Sequence, residues 1–187
     1  MKNIVVFASG SGTNAERIIK YFSNKDGVNI TCVLTNNPKA GVIERANNLN
    51  VDVEVFNRSD FYDTETVLVK LEKYQPDLIV LAGFLWLVPE YLIENYKNRI
   101  INIHPALLPK YGGKGMYGMR VHEAVIDAKE SISGITIHKV NSIYDDGQII
   151  FQAQFDISDD ETPDSLAQKI HELEYKHFPV VIEDYLK

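Results

Sequence analysis

Apolar positions recur along this chain in two alternating rhythms, and their order predicts its architecture. Short apolar runs at Asn3–Ala8, Asn29–Thr35, Val51–Val55 and Leu78–Ala82 read as buried strands. Between them, helical spacing puts Ile18, Ile19 and Phe22 on one face of a helix from about Ala15 to Phe22. Val42–Asn48 reads as a short helix. Thr64–Tyr74 reads as a longer one, aligning Val67, Leu68 and Leu71 and ending at Gln75-Pro76. Strand and helix therefore alternate, the signature of a parallel sheet with helices on both faces. Pro89–Tyr96 reads as a helix and Arg99–His104 as the next strand. After a helical Val121–Ala128, Ser133–Lys139 and Gln148–Phe155 alternate with period two and predict two more strands. Thr162-Pro163 opens a closing helix, with the hydroxyl as N-cap and proline at the first helical position. That helix runs through Leu166, Ile170 and Leu173, and Pro179 is expected to kink or break it. The expected fold is α/β: a mostly parallel, twisted sheet of about seven strands, helices on both faces, one domain over residues 1–187.

One strand interrupts its apolar pattern in a telling way. In Ile100-Ile101-Asn102-Ile103-His104-Pro105, alternation puts Asn102 and His104 on one face and Ile101 and Ile103 on the other. Pro105 cannot donate to a sheet ladder, so the strand ends at His104. An amide and an imidazole then stand together at a strand's carboxyl end, where open α/β sheets bind ligands. The longest irregular segment, Pro105 to Arg120, follows at once and holds Gly112, Gly113, Gly115 and Gly118. A loop that long inside a compact domain is usually functional or mobile.

The first loop, Ser9-Gly10-Ser11-Gly12-Thr13-Asn14, leads from a strand into a helix. Its glycines let the backbone approach a ligand, and the helix start presents free N–H groups with a positive dipole end, which suits a phosphate. The dinucleotide fingerprint is incomplete, because Ala15 stands where a third glycine belongs, and no Gly-Lys-Ser/Thr follows. The same glycines also suit a plain tight turn, and Asn14 suits either a helix cap or a ligand contact. Asp145 and Asp146 lie in the turn before the last strand, and either carboxylate would orient His104. His138 and Thr136 share a strand face that either lines the site or meets solvent. His171 and Glu174 sit three apart on the closing helix, as do Glu174 and His177, and no spacing there suits zinc.

Charge narrows the ligand class. The net charge of -7 lacks the basic footprint of a duplex-binding surface, so no nucleic-acid partner is expected. Cys32, the single cysteine, lies in an apolar run and reads as a small buried hydrophobe. Neither a cleavable signal nor an apolar run of spanning length is present, so a cytoplasmic protein without membrane attachment is expected.

Taken in order, Ser9-Gly10-Ser11-Gly12-Thr13-Asn14, Leu81-Ala82-Gly83-Phe84, Asn102-Ile103-His104-Pro105-Ala106-Leu107-Leu108-Pro109 and Asp145-Asp146-Gly147-Gln148-Ile149-Ile150 resemble the glycinamide ribonucleotide formyltransferases. These are the folate-dependent enzymes of purine synthesis, with a Rossmann-like formyltransferase fold. The resemblance covers nearly the whole chain. It implies 10-formyltetrahydrofolate as formyl donor, 5-phosphoribosylglycinamide as acceptor, no metal, and a monomer or homodimer. It implies a phosphate-binding N-terminal half over residues 1–100 and a catalytic, folate-binding half over 101–187. By that similarity Gly12, Thr13 and Asn14 hold the acceptor phosphate, and Glu174, with His171 close by, meets the glycinamide end. Asn102, His104 and Asp145 are the implied catalytic trio. Phe84, Leu85, Trp86 and Leu87, with Asn102, lie along the folate. The chain departs from the family at Lys110-Tyr111-Gly112-Gly113, where a proline and glycine usually follow the aromatic residue. It departs again at Trp86, where a basic residue is common. Arg58 matches a family arginine only loosely.

The implied reaction needs no covalent intermediate, because the acceptor's primary amine is the nucleophile. Attack on the formyl carbon builds negative charge on its oxygen, which Asn102 and a protonated His104 would stabilise. Asp145 is expected to keep His104 charged at neutral pH. The rival readings are a formyltetrahydrofolate hydrolase, formyltransferases acting on a sugar nucleotide or initiator tRNA, and a non-catalytic nucleotide-binding module. A hydrolase has no need of the loop at residues 9–14, and a tRNA-directed enzyme is expected to carry a further basic domain. A binding module leaves the convergence of Asn102, His104 and Asp145 unexplained.

Overall fold

A computed structural model describes all 187 residues. Seven strands form one sheet in the order β3-β2-β1-β4-β5-β6-β7. They are β1 (Lys2–Phe7), β2 (Val28–Thr35), β3 (Asp52–Val55), β4 (Leu78–Leu81), β5 (Ile100–His104), β6 (Ile132–Lys139) and β7 (Ile149–Asp156). The first five run parallel, while β6 and β7 pair antiparallel to their neighbours. The helices are α1 (Thr13–Phe22), α2 (Gly41–Asn48), α3 (Arg58–Tyr62), α4 (Thr66–Tyr74), α5 (Glu90–Asn95), α6 (Met119–Asp127) and α7 (Pro163–Tyr185).

The strand rhythm follows from burial on both faces. In β1, Ile4 and Val6 face one core with α1, α2 and α7, while Val5 and Phe7 face a second core with Phe56, Phe61 and Leu71. Each fully buried side chain of this kind stabilises the fold by roughly 1.5–3 kcal/mol. The strand order turns back on itself at β1, which has β2 on one side and β4 on the other. The loops after β1 and β4 diverge from that point, opening a crevice at the strands' carboxyl ends.

One helix is unanticipated, and one expectation meets a correction. Helix α3 precedes α4 as a separate turn, nucleated by a capping box in which Asn57 and Asp60 each accept the other's backbone N–H. Helix α7 is not broken at Pro179 but continues to Tyr185. Pro179 has no N–H for the Tyr175 carbonyl, and Arg17 Nε of α1 donates to that oxygen instead at 3.1 Å. Proline is tolerated there because a neighbouring helix satisfies the freed acceptor. The expected Thr162 cap with Pro163 in the first turn is present. No helix is long and apolar enough to cross a membrane.

Candidate active site

A cavity of about 640 Å³ opens at the carboxyl ends of β1, β4 and β5 and is closed on the far side by the 113–120 segment and α7. Gly12, Thr13, Asn14, Phe84, Leu85, Asn102, His104, Asp145, His171 and Glu174 all line it. Trp86 and Leu87 do not. The Trp86 ring packs among Phe56, Phe61 and Tyr62, and the Leu87 carbonyl accepts from Tyr62 Oη at 2.9 Å. Arg58 lies over the Tyr62 ring at 4.8 Å, outside the cavity wall.

The first loop is held in a shape only glycine allows. Gly12 has φ 77°, and a Cβ there would come within 2.4 Å of Val42. Ser9 ties the loop to the β4 segment, its N–H donating to Gly83 and its Oγ accepting from Leu85 N–H. Gly12 is the N-cap of α1 and offers no side-chain cap. Asn14 does not cap the helix either: Nδ2 donates to Glu174 Oε2 at 2.8 Å. Glu174 is 4% exposed and also accepts from His171 Nδ1 at 2.9 Å. That contact raises the His171 pKa against the opposing effect of burial.

Across the cavity, cross-strand register assembles a polar cluster. Asn102 of β5 stands opposite His138 of β6, and His104 stands opposite Thr136. His138 Nδ1 lies 2.8 Å from the Lys139 carbonyl, which can only accept, so Nδ1 carries the proton. Nε2 is then free to accept from Asn102 Nδ2 at 3.1 Å. Thr136 supports the chain beyond Pro105, donating to the Ala106 carbonyl and accepting from Leu108 N–H. The peptide bond between Leu108 and Pro109 is cis.

The structure separates the two aspartates. Asp145, at φ 54°, turns inward. Its Oδ2 lies 3.5 Å from His104 Nδ1 and accepts from Gly113 N–H at 2.9 Å, and its Oδ1 lies 3.6 Å from His138 Nε2. Asp146 is exposed, and its carboxylate accepts only from Asn141 Nδ2. Burial works to raise the Asp145 pKa, but the neighbouring His138 and His104 and the Gly113 N–H together lower it. Asp145 is therefore ionised at neutral pH.

His104 contradicts the expected charge state. It is 3% exposed, and burial pushes its pKa below the ordinary histidine value. Asp145 and the Tyr111 carbonyl, 2.7 Å from Nε2, recover only part of that loss. The ring is neutral at rest, with its proton on Nε2, because desolvating an imidazolium costs more than one carboxylate at 3.5 Å returns.

Among the lining residues that the sequence pattern does not single out, one histidine stands apart. His122 of α6 is 4% exposed, and its Nδ1 has no hydrogen-bond partner. No motif surrounds it, and only its tertiary position marks it. His138 was visible on the right face of its strand, but its partner on β5 was not. No group of three or more His, Cys, Asp or Glu side chains is arranged to hold a metal ion.

The formyl transferase family model matches residues 2–182. A chloroplastic phosphoribosylglycinamide formyltransferase of Arabidopsis thaliana is 38% identical over 97% of this chain. This chain spans 64% of that protein's length, and 60% of the Vigna unguiculata counterpart. The phosphoribosylglycinamide formyltransferase of Bacillus subtilis is 32% identical, covering all of this chain and 95% of its own. Among solved structures, glycinamide ribonucleotide transformylase 1 from Geobacillus kaustophilus superposes with TM-score 0.91 at 34% identity, covering both chains completely. By family model, sequence and fold together, the chain belongs to the formyl transferase family.

Proposed function

We propose that this protein transfers the formyl group of 10-formyltetrahydrofolate to the amine of 5-phosphoribosylglycinamide, a step of purine biosynthesis. The observation that carries this reading is one continuous cavity holding two distinct ends. Gly12–Asn14 and Glu174 form an acceptor end, and Asn102, His104 and Asp145 form a transfer end. Phe84 and Leu85 provide the apolar edge beside which the folate lies.

The chemistry follows from the side chains. The acceptor amine attacks the formyl carbon, a C–N bond forms, and negative charge develops on the formyl oxygen. Asn102 offers that charge its second amide N–H, which at rest faces Asp145 Oδ1 at 3.5 Å. His104, neutral at rest, receives the proton that the amine loses, and Asp145 stabilises the resulting imidazolium. The folate C–N bond then breaks, and His104 returns the proton to the departing nitrogen. Neutral His104 is thus a base first and a charged partner second. His138 holds Asn102 in place by accepting one amide N–H.

Formyl transfer assayed with and without phosphoribosylglycinamide tests the proposal. Formylated product that appears only with the acceptor is expected. Folate deformylation at the same rate without acceptor overturns the proposal in favour of a hydrolase.

A further inference from the structure

The cavity wall contains two carboxylates and two permanent cations, and only the carboxylates are committed. Asp145 is bound by Gly113 N–H and faces His104 and His138. Glu174 is bound by Asn14 and His171. Lys114 and Arg120, the only lysine and arginine that line the cavity, have no carboxylate partner. The Arg120 guanidinium rests 5.1 Å from the Tyr117 ring centroid, with its N–H edge unengaged. In a chain of net charge -7, two unpaired cations on one cavity wall point to an anionic ligand group.

Their mounting suits that role. Lys114 sits between Gly113 and Gly115, at φ 94° and 92°, with open space around both glycines. Arg120 lies in the first turn of α6, which packs against α7. Helix α7 carries Glu174, and Glu174 is bonded to Asn14 beside the first loop. His122, two residues after Arg120, feels the charges of His171 and Glu174, so the start of α6 lies near the part of α7 that holds Asn14.

The charges favour a phosphate. A helix N-terminus offers only about half a positive charge, whereas a phosphate monoester carries about -1.5 to -2 at neutral pH. The Gly12–Asn14 loop supplies N–H groups and no side-chain cation. We propose that Lys114 and Arg120 bind the phosphate monoester of the acceptor together with that loop, Arg120 through its planar N–H edge and Lys114 as a mobile point charge. The identity of the acceptor rests on the formyl-transfer reading; the phosphate chemistry rests on the cavity.

The test uses the whole protein with Lys114→Gln, Arg120→Gln and both together, and Lys97→Gln as an exposed control. Ribose 5-phosphate binding is measured by calorimetry at several salt concentrations, and KM is measured for both substrates. Each single variant is expected to weaken ribose 5-phosphate binding about tenfold and to flatten its salt dependence, with the formyl-folate KM unchanged. Lys97→Gln is expected to match the wild type. Unchanged ribose 5-phosphate binding in the double variant overturns the proposal, as does wild type that fails to bind it. A raised formyl-folate KM with an unchanged acceptor KM also overturns it, assigning the cations to the folate carboxylates. Wild type that binds ribose 5-phosphate through these cations, yet formylates no phosphoribosylglycinamide, supports the anion site and overturns the acceptor reading alone.

Discussion

Asn14 Nδ2 donates to Glu174 Oε2 at 2.8 Å, joining residues 160 positions apart. The bond fixes the first turn of α1 to the middle of α7, and so aligns the phosphate loop with the acceptor end of the cavity. Asn14→Ala leaves a buried carboxylate with His171 as its remaining side-chain partner. A loss of about 1–3 kcal/mol of stability is expected, measurable by urea unfolding. Acceptor KM should rise about tenfold while formyl-folate KM stays put. Equal rises in both would show that the bond supports the whole cavity rather than its acceptor end.

His104→Ala and Asp145→Ala should each lower kcat by about 10²–10³ while acceptor binding persists. Asp146→Ala is the control, since Asp146 is exposed and its carboxylate accepts only from Asn141. Wild-type turnover in Asp145→Ala, or a comparable loss in Asp146→Ala, would sink the assignment of the inward carboxylate.

The neutral rest state of His104 makes a pH prediction. Its folded-state pKa lies below the ordinary value of about 6.5, so kcat/KM should hold through neutrality and fall only at lower pH. Asp145 acts to raise that pKa, so Asp145→Asn should move the acid limb lower still, on top of its loss of rate. Stability has the same sign. The buried His104 and His122 both have lowered pKa values, so the unfolded chain binds more protons than the folded one as the pH drops past the ordinary histidine range. Stability from these groups is therefore lost as pH falls. An acid limb centred above 6.5 in the free enzyme would contradict the desolvated ring.

Arg17 and Pro179 lend themselves to a double-mutant cycle. Arg17→Ala removes the donor to the Tyr175 carbonyl and should cost about 0.5–1.5 kcal/mol. In a Pro179→Ala background the restored N–H takes that carbonyl, so the same Arg17→Ala change should cost markedly less. Equal costs in both backgrounds would mean that Arg17 acts elsewhere.

The sequence discloses what depends on local pattern and hides what depends on depth or distance. Strand periodicity and Pro105 were enough to place Asn102 and His104 on one face at the end of β5. Helix α3 escaped because its five residues bury only Phe61, too little to make a period, although Asn57 and Asp60 spell its capping box. The roles of Asn14 and Pro179 depend on α7 packing against α1, which no spacing encodes. The charge of His104 was misjudged because a carboxylate neighbour is visible in a motif, whereas the burial that outweighs it exists only in the folded core. The family resemblance puts Trp86 along the folate, whereas its ring packs among Phe56, Phe61 and Tyr62.

Gly147 tests whether the polar cluster works as a unit. A Cβ at this position would lie 1.7 Å from the Lys139 carbonyl oxygen, so Gly147→Ala forces that carbonyl to move. The same oxygen accepts from His138 Nδ1, and His138 Nε2 accepts from Asn102. Displacing it unsettles the tautomer of His138 and, through it, the aim of the Asn102 amide. Overpacking of this kind usually costs about 1–3 kcal/mol. The expected result is that stability loss together with a fall in kcat of at least about tenfold and little change in acceptor KM, because the acceptor end lies across the cavity. If kcat stays at the wild-type value while stability drops, the chain of contacts from Gly147 to Asn102 serves folding alone, and Asn102 is held by the strand without help from His138.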